Sequence, residues 1–144
     1  MAKKSGKKIN SKTKGKVGEL ELSHKLRDLF GFDSRRGQQY NGLEGEDVVG
    51  IPGVHIECKR VENLSIYTAV EQAIKDAEKG KIPCVMHRRN HKQWLVTLQL
   101  EDLAKFSATF LNEIRLSNER SANLGNESDG NNTGSNAERT NPAD

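Results

Sequence analysis

The sequence contains no run of about 18 apolar residues, so no membrane-spanning helix is expected. Its lysine-rich start has no hydrophobic segment of the kind that a secretory signal needs, and the expected compartment is the cytoplasm. Cysteine is scarce. Cys58 and Cys84 are the only two, and both lie in apolar, strand-like stretches, where they read as small buried hydrophobes rather than as a disulfide. No internal repeat is present. Apolar residues are also few: hydrophobic types make up 33% of the chain against 30% charged, so a compact core requires some of the polar sequence to lie outside it. A length of 144 residues fits a single domain.

The polar excess is at the two ends. Residues 1 to 16, MAKKSGKKINSKTKGK, carry seven lysines and no acid, whereas residues 117 to 144 are rich in Asn, Ser and Gly and carry two arginines against five acids. Neither end shows a hydrophobic period, and both read as disordered. The expected organisation is a basic arm over 1–14, a domain over 15–116 and a polar tail over 117–144. A basic arm on a near-neutral domain suits an electrostatic tether to a polyanion such as nucleic acid, although a solubilising terminus has the same composition.

Between the ends, residues 15 to 30, GKVGELELSHKLRDLF, have helical spacing, with Leu22, Leu26, Leu29 and Phe30 on one face. Glu19 falls within that stripe, while Glu21 projects to the other side with Lys25 and Asp28. An acid on an inward stripe belongs either to the exposed first turn or to a site that holds positive charge. DSRRGQQYNGLEGE then reads as a short strand and a glycine-bearing loop, and EDVVG and VHIECKR read as two strands joined by IPG. In the second strand Val54, Ile56 and Cys58 face one way and His55, Glu57 and Lys59 the other. A three-residue loop at Ile51, Pro52 and Gly53 places Asp47 opposite Glu57, whereas a two-residue loop turns it away. A helix follows, with Ile66, Val70, Ala73, Ile74 and Ala77 at helical spacing, Ser65 as its cap and Gly80 as its stop. IPCVMH and QWLVTLQL are further strands around the polar turn RRNHK. EDLAKFSATFLNEIRL is a closing helix with Leu103, Phe106, Phe110 and Ile114 inward. The order predicts an α/β fold, a mixed sheet flanked by helices.

Glu19, Asp47, Glu57 and Lys59 meet if the first helix packs across the hairpin. Crowded carboxylates repel and raise one another's pKa unless a cation neutralises them, and hard oxygen ligands suit Mg²⁺ or Mn²⁺. A divalent cation makes water a better nucleophile at neutral pH, and Lys59, two residues from Glu57 on the same face, can orient that water or offset charge developing on a phosphate. A Glu-x-Lys alone is common in a chain of this length. Its position behind a hairpin that carries Asp47 gives it weight. Cys84, His87 and His91 have roughly zinc-like spacing, but along a strand Cys84 and His87 point to opposite faces.

ED followed by HIECK, nine residues separating Asp47 from Glu57, resembles the PD-(D/E)XK nuclease signature, and KGKVGE resembles the helix motif of archaeal-type Holliday junction resolvases and their phage relatives. Glu46 stands where the signature usually has proline. The resemblance covers roughly residues 14 to 98 and implies a restriction-endonuclease-like fold in a bacterial host or phage-infected cell. It implies Glu19, Asp47 and Glu57 as metal-site acids, the backbone carbonyl of Cys58 as a further ligand and Lys59 as the catalytic lysine. It also implies Mg²⁺-dependent cleavage, with Mn²⁺ as substitute, by a homodimer acting on four-way junctions in DNA recombination. The expected DNA contacts are Lys14 and Lys16, then Arg35, Arg36 and Gln38 before the hairpin, Gln72 on the second helix, and Arg88 and Arg89 in the basic turn. His55 either lines the cleft or is a hydrogen-bonded neighbour. The rivals are a nuclease of other DNA structure specificity and a non-catalytic DNA-binding module on the same fold.

Overall fold

A computed structural model of the chain describes residues 11–37 and 47–128. Its elements in order are α1 (Ser11–Phe30), β1 (Arg35–Arg36), β2 (Val48–Val49), β3 (Val54–Arg60), α2 (Ile66–Asp76), β4 (Ile82–Arg88), β5 (Leu95–Thr97), a 3₁₀ turn (Leu100–Asp102) and α3 (Leu103–Ser128). The five strands form one mixed sheet in the order β1-β2-β3-β4-β5. Only β3 and β4 are parallel, because α2 carries the chain back across the sheet between them.

The β2–β3 hairpin turns through Ile51, Pro52 and Gly53. Its register sets Val48 against Ile56, so one step further Asp47 comes opposite Glu57, as the three-residue loop requires. Gly53 has φ 81° and Gly50 has φ 120°. A Cβ at Gly50 would stand 2.5 Å from the Asp33 carbonyl oxygen, so only glycine lets the hairpin close over that segment.

Helices cover both faces. Leu22 and Leu26 of α1, with Phe106, Phe110 and Ile114 of α3, pack on Val54, Ile56, Cys84 and Met86, and Phe110 meets Phe30 and Phe32 edge-on. On the opposite face Ala69 and Ala73 of α2 seat on Val85. With helices on both sides, β3 is buried on both faces, which places His55 and Glu57 inside.

Several details differ from the sequence reading. α1 begins at Ser11 rather than at 15, and α3 runs on to Ser128, well into the segment taken for tail. No proline or glycine interrupts α3 before Gly125, and an Arg115–Glu119 pair at 2.6 Å supports the added turns without any apolar stripe. Leu29 is 58% exposed and Leu103 49%, not inward, because Phe30 and Phe106 take the places against the core. α2 ends at Asp76 with Ala77 as its C-cap, short of Gly80. Ser65 is the N-cap residue, but its hydroxyl pairs with the Thr68 hydroxyl at 2.9 Å instead of a backbone N–H.

Candidate active site

Gly18 lets α1 approach the sheet: a Cβ there would lie 3.0 Å from the Cβ of Arg60. That close approach sets Glu19 over β1, where its carboxylate accepts a hydrogen bond from Arg36 Nε. Arg36 follows directly from pairing with Val48 across β1 and β2.

Asp47, at the mouth of the hairpin, is fixed from three sides. Its backbone N–H donates to the Ile56 carbonyl at 3.2 Å, its carbonyl accepts from Gly37 at 2.8 Å, and Oδ2 accepts from the Cys58 N–H at 2.8 Å. In an extended strand the N–H and C=O of one residue point to the same edge, so the Cys58 carbonyl shares the edge that Asp47 occupies. Burial, then the charge of Glu57, push the Asp47 carboxyl up to about 7; Glu19 adds to this, while the Cys58 N–H and Lys59 act against it. Electrostatics thus couple Asp47 to Glu57, Glu19 and Lys59 together. The same burial and the same three acids drive the Cys58 thiol far above its ordinary range, so this cysteine is an unreactive packing residue. Neither Cys58 nor Cys84 forms a disulfide.

Glu57 is only 4% exposed and needs a counter-charge. Lys59 Nζ supplies it at 2.7 Å from Oε1 and also donates to Gln72 Oε1 at 3.1 Å. Gln72 lies off the apolar stripe of α2, as its helical angle indicates, yet it overhangs the strand far enough to hold the lysine. His55, 1% exposed, is buried and does not line the cleft.

Among the described residues, no group of three His, Cys, Asp or Glu side chains is gathered tightly enough to hold a metal ion. Two of the acids are held in ion pairs instead, Glu19 with Arg36 and Glu57 with Lys59. Asp47 and Glu57 nevertheless fit a hard divalent cation. Their mutual repulsion is what such an ion relieves, and Mg²⁺ characteristically takes one or two carboxylates and completes its shell with waters and phosphate oxygens. Zinc is not favoured: Cys84 packs in the α1/α3 core, and His87 Nε2 is paired with the Thr97 hydroxyl at 2.9 Å.

The remaining expected DNA contacts lie apart. Lys14 is half-buried and Lys16 exposed on the first turns of α1. Arg35 pairs through its backbone with Val49, and Gln38 lies outside the described residues. Arg89 is exposed. Arg88, by contrast, is committed to structure: its guanidinium meets Glu21 at 2.7 Å and sits 5.6 Å from the centre of the Trp94 ring. Glu21, expected on the solvent side of α1, instead turns to Arg88 and to Arg60 at 3.6 Å. The Arg88 hydrogen bond holds its carboxyl below the ordinary value against the opposing effect of burial. Sequence reasoning missed this clamp, because 67 positions separate its two ends and neither lies in a recognisable motif.

A mixed sheet whose β2–β3 hairpin carries Asp47 at its open end, followed on β3 by Glu57-Cys58-Lys59 and overlooked by a helical acid, defines a nuclease core of the PD-(D/E)XK class. Residues 10–133 match the family described as "Phage putative PDDEXK endonuclease", and the chain belongs to that family. A nuclease family implies DNA as substrate. No curated protein and no solved structure matches the chain.

Proposed function

We propose that this protein is a Mg²⁺-dependent DNA endonuclease, with Mn²⁺ able to substitute, that hydrolyses phosphodiesters in branched DNA such as four-way junctions and works as a homodimer. The observation that carries the reading is the register that sets Asp47 opposite Glu57, with Lys59 two residues beyond Glu57 on the same strand and 2.7 Å from its carboxylate; burial and the neighbouring acids raise the Asp47 carboxyl accordingly. Such crowding is costly for stability and is expected where chemistry needs it.

Asp47 and Glu57 would hold the cation, with the Cys58 carbonyl on the same edge. The cation supplies Lewis acidity that activates water and offsets phosphate charge. Lys59 is placed to orient the attacking water or to donate to a phosphate oxygen as negative charge builds there. Gln72 holds the amine over the strand, so the lysine keeps its position when Glu57 turns to a cation. Arg36, 39% exposed, can leave Glu19 for a DNA phosphate, which would return Glu19 to the site. Among the described residues no recognition module is appended to the sheet and its helices, which favours selectivity for DNA structure over DNA sequence.

The test is cleavage of an end-labelled four-way junction, a nicked duplex and a linear duplex, each with Mg²⁺ and with chelator. Mg²⁺-dependent cutting of the junction ahead of linear duplex is expected. Equal degradation of all three removes the branched-DNA assignment and leaves a nuclease. Binding without cutting at any Mg²⁺ or Mn²⁺ concentration leaves only a DNA-binding module.

A further inference from the structure

A cavity of about 520 Å³ opens beside the candidate active site, between the segment that follows β3 and the β4–β5 turn. Val61, Leu64, Ile66 and Leu95 give it aliphatic walls, the half-buried His87 is part of its lining, and the exposed Arg89 and Lys92 supply positive charge on its solvent side. Its size falls within the usual range for small-ligand pockets, about 300–1,000 Å³. Its position matters more than its size. His87 pairs with Lys59 across β3 and β4, and paired residues on neighbouring strands point to the same face. His87, part of the cavity's lining, therefore stands on the strand next to Lys59, one backbone spacing of about 4.8 Å away.

We propose that this cavity receives a single unpaired nucleotide of the DNA strand being cut, its base against the aliphatic walls and His87, its phosphates against Arg89 and Lys92. The inference rests on the DNA-cleaving reading above for the identity of the polymer. It narrows the substrate to DNA with an unpaired nucleotide near the cut, such as a bulge, a flap or the open centre of a junction.

Three observations favour this occupant. The cavity is apolar within and basic on its solvent side, the arrangement that single-stranded nucleic acid recognition uses, in which bases stack on flat or apolar groups and the backbone follows positive charge. His87 is tied to the Thr97 hydroxyl and desolvation lowers its pKa, so it offers a neutral ring face rather than a second cation. Arg88 forms one wall without competing for phosphate, since Glu21 and Trp94 already engage it. The acid nearest this turn, Glu62, is itself occupied: its Oε1 accepts the Asn90 N–H at 2.8 Å and fixes the turn's shape. A base has to leave its partner and its stack to occupy the cavity, so the pocket discriminates by pairing state, not by base identity.

The experiment titrates the full chain, in chelator to prevent cutting, into duplex DNA that carries one bulged 2-aminopurine and into the same duplex with that base paired. Anisotropy reports affinity and 2-aminopurine emission reports the base's surroundings. About tenfold tighter binding of the bulged DNA, with a change of emission, is expected. Leu95→Glu sets a negative charge on the exposed part of the wall and should abolish both effects, whereas Leu95→Met should keep them and so controls for folding. Equal affinity for the two duplexes, or a preference that survives Leu95→Glu, overturns the proposal. Mg²⁺-dependent cutting without any 2-aminopurine response rejects the pocket and spares the nuclease. The full response in a protein that never cuts keeps the pocket and rejects the nuclease.

Discussion

Replacing Asp47 with asparagine should stabilise the metal-free protein while removing its response to Mg²⁺. Burial together with Glu57 and Glu19 raises the Asp47 carboxyl from 3.8 to about 7. A rise of about three units corresponds to about 4 kcal/mol between the two protonation states. Because the folded value lies above the unfolded one, the stabilising contribution of the protonated acid is complete below about pH 4, declines as pH climbs, and is gone above about pH 7. Asparagine keeps an oxygen for the Cys58 N–H and carries no charge, so it escapes that decline. Allowing about half for relaxation of the partly exposed carboxyl, the variant should exceed wild type by about 2 kcal/mol at pH 8, or about 8 °C in Tm for a domain of this size. At pH 4 or below the advantage should shrink towards zero. Differential scanning fluorimetry in chelator at pH 4, 6 and 8 gives the comparison, and repeating it in Mg²⁺ should raise the wild-type Tm alone. A variant that melts below wild type at pH 8 in chelator refutes the crowded-carboxylate argument, and one that retains the Mg²⁺ response refutes Asp47 as a ligand.

The other side chains make separable predictions. Lys59→Met should abolish cutting with little change in DNA affinity measured in Ca²⁺ or chelator, and Gln72→Ala should lower the cleavage rate while leaving the Mg²⁺ requirement unchanged; equal losses of binding in both would make Lys59 a phosphate contact only. Arg36→Gln removes a cation that competes for Glu19, so Mn²⁺ should bind on the order of tenfold more tightly by calorimetry; weaker Mn²⁺ binding would mean that Arg36 organises the site instead of holding it closed. Glu21→Gln leaves the largely buried Arg88 without its charge partner and should lower stability by about 2 kcal/mol in urea at pH 7. That loss should fade in acid, since a depressed carboxyl contributes above its unfolded value and loses its effect as pH falls through the folded one. Deleting residues 1–13 should weaken DNA binding at low salt and flatten its salt dependence, because fewer counterions are released.

How far the sequence could be read depends on how local the cause is. The sequence reduced the Asp47–Glu57 register to loop parity, three residues setting the acids opposite and two turning Asp47 away, and the pairing of Val48 with Ile56 selects the three-residue Ile51-Pro52-Gly53 loop. The inward stripe of α1 marked Glu19 as unusual for the same reason: its neighbours at helical spacing, Leu22 and Leu26, are buried. Periodicity fails where a long polar side chain reaches past its own face. Gln72 sits off the stripe of α2 and still meets Lys59, and Glu21 sits on the polar side of α1 and still meets Arg88. The extent of α3 was hidden for another reason: its last turns are held by main-chain bonds and polar pairs such as Ser121 to the Ser117 carbonyl, which leave no hydrophobic pattern.

The two cation–carboxylate pairs at the site, Lys59–Glu57 and Arg36–Glu19, also explain how such a site survives folding before it meets metal. Glu57 is buried and would be strongly destabilising if unpaired, yet Lys59, the lysine proposed for the chemistry, lies two residues along the same face and closes on it. Arg36 does the same for Glu19 from the neighbouring edge. Asp47 alone has no cation at contact distance among the described ion pairs; it has the Cys58 N–H, and it is the acid whose pKa is driven to about 7. The site therefore keeps one acid under-compensated, and an incoming divalent ion gains most at that acid. Occupation there would loosen the hold of Glu57 on Lys59 and of Glu19 on Arg36, freeing two cations toward phosphate at the moment the metal arrives. Under the proposed function, assembly of the catalytic set would then be coupled to metal and DNA together, because each acid released from a protein cation would leave that cation available to the backbone of the substrate.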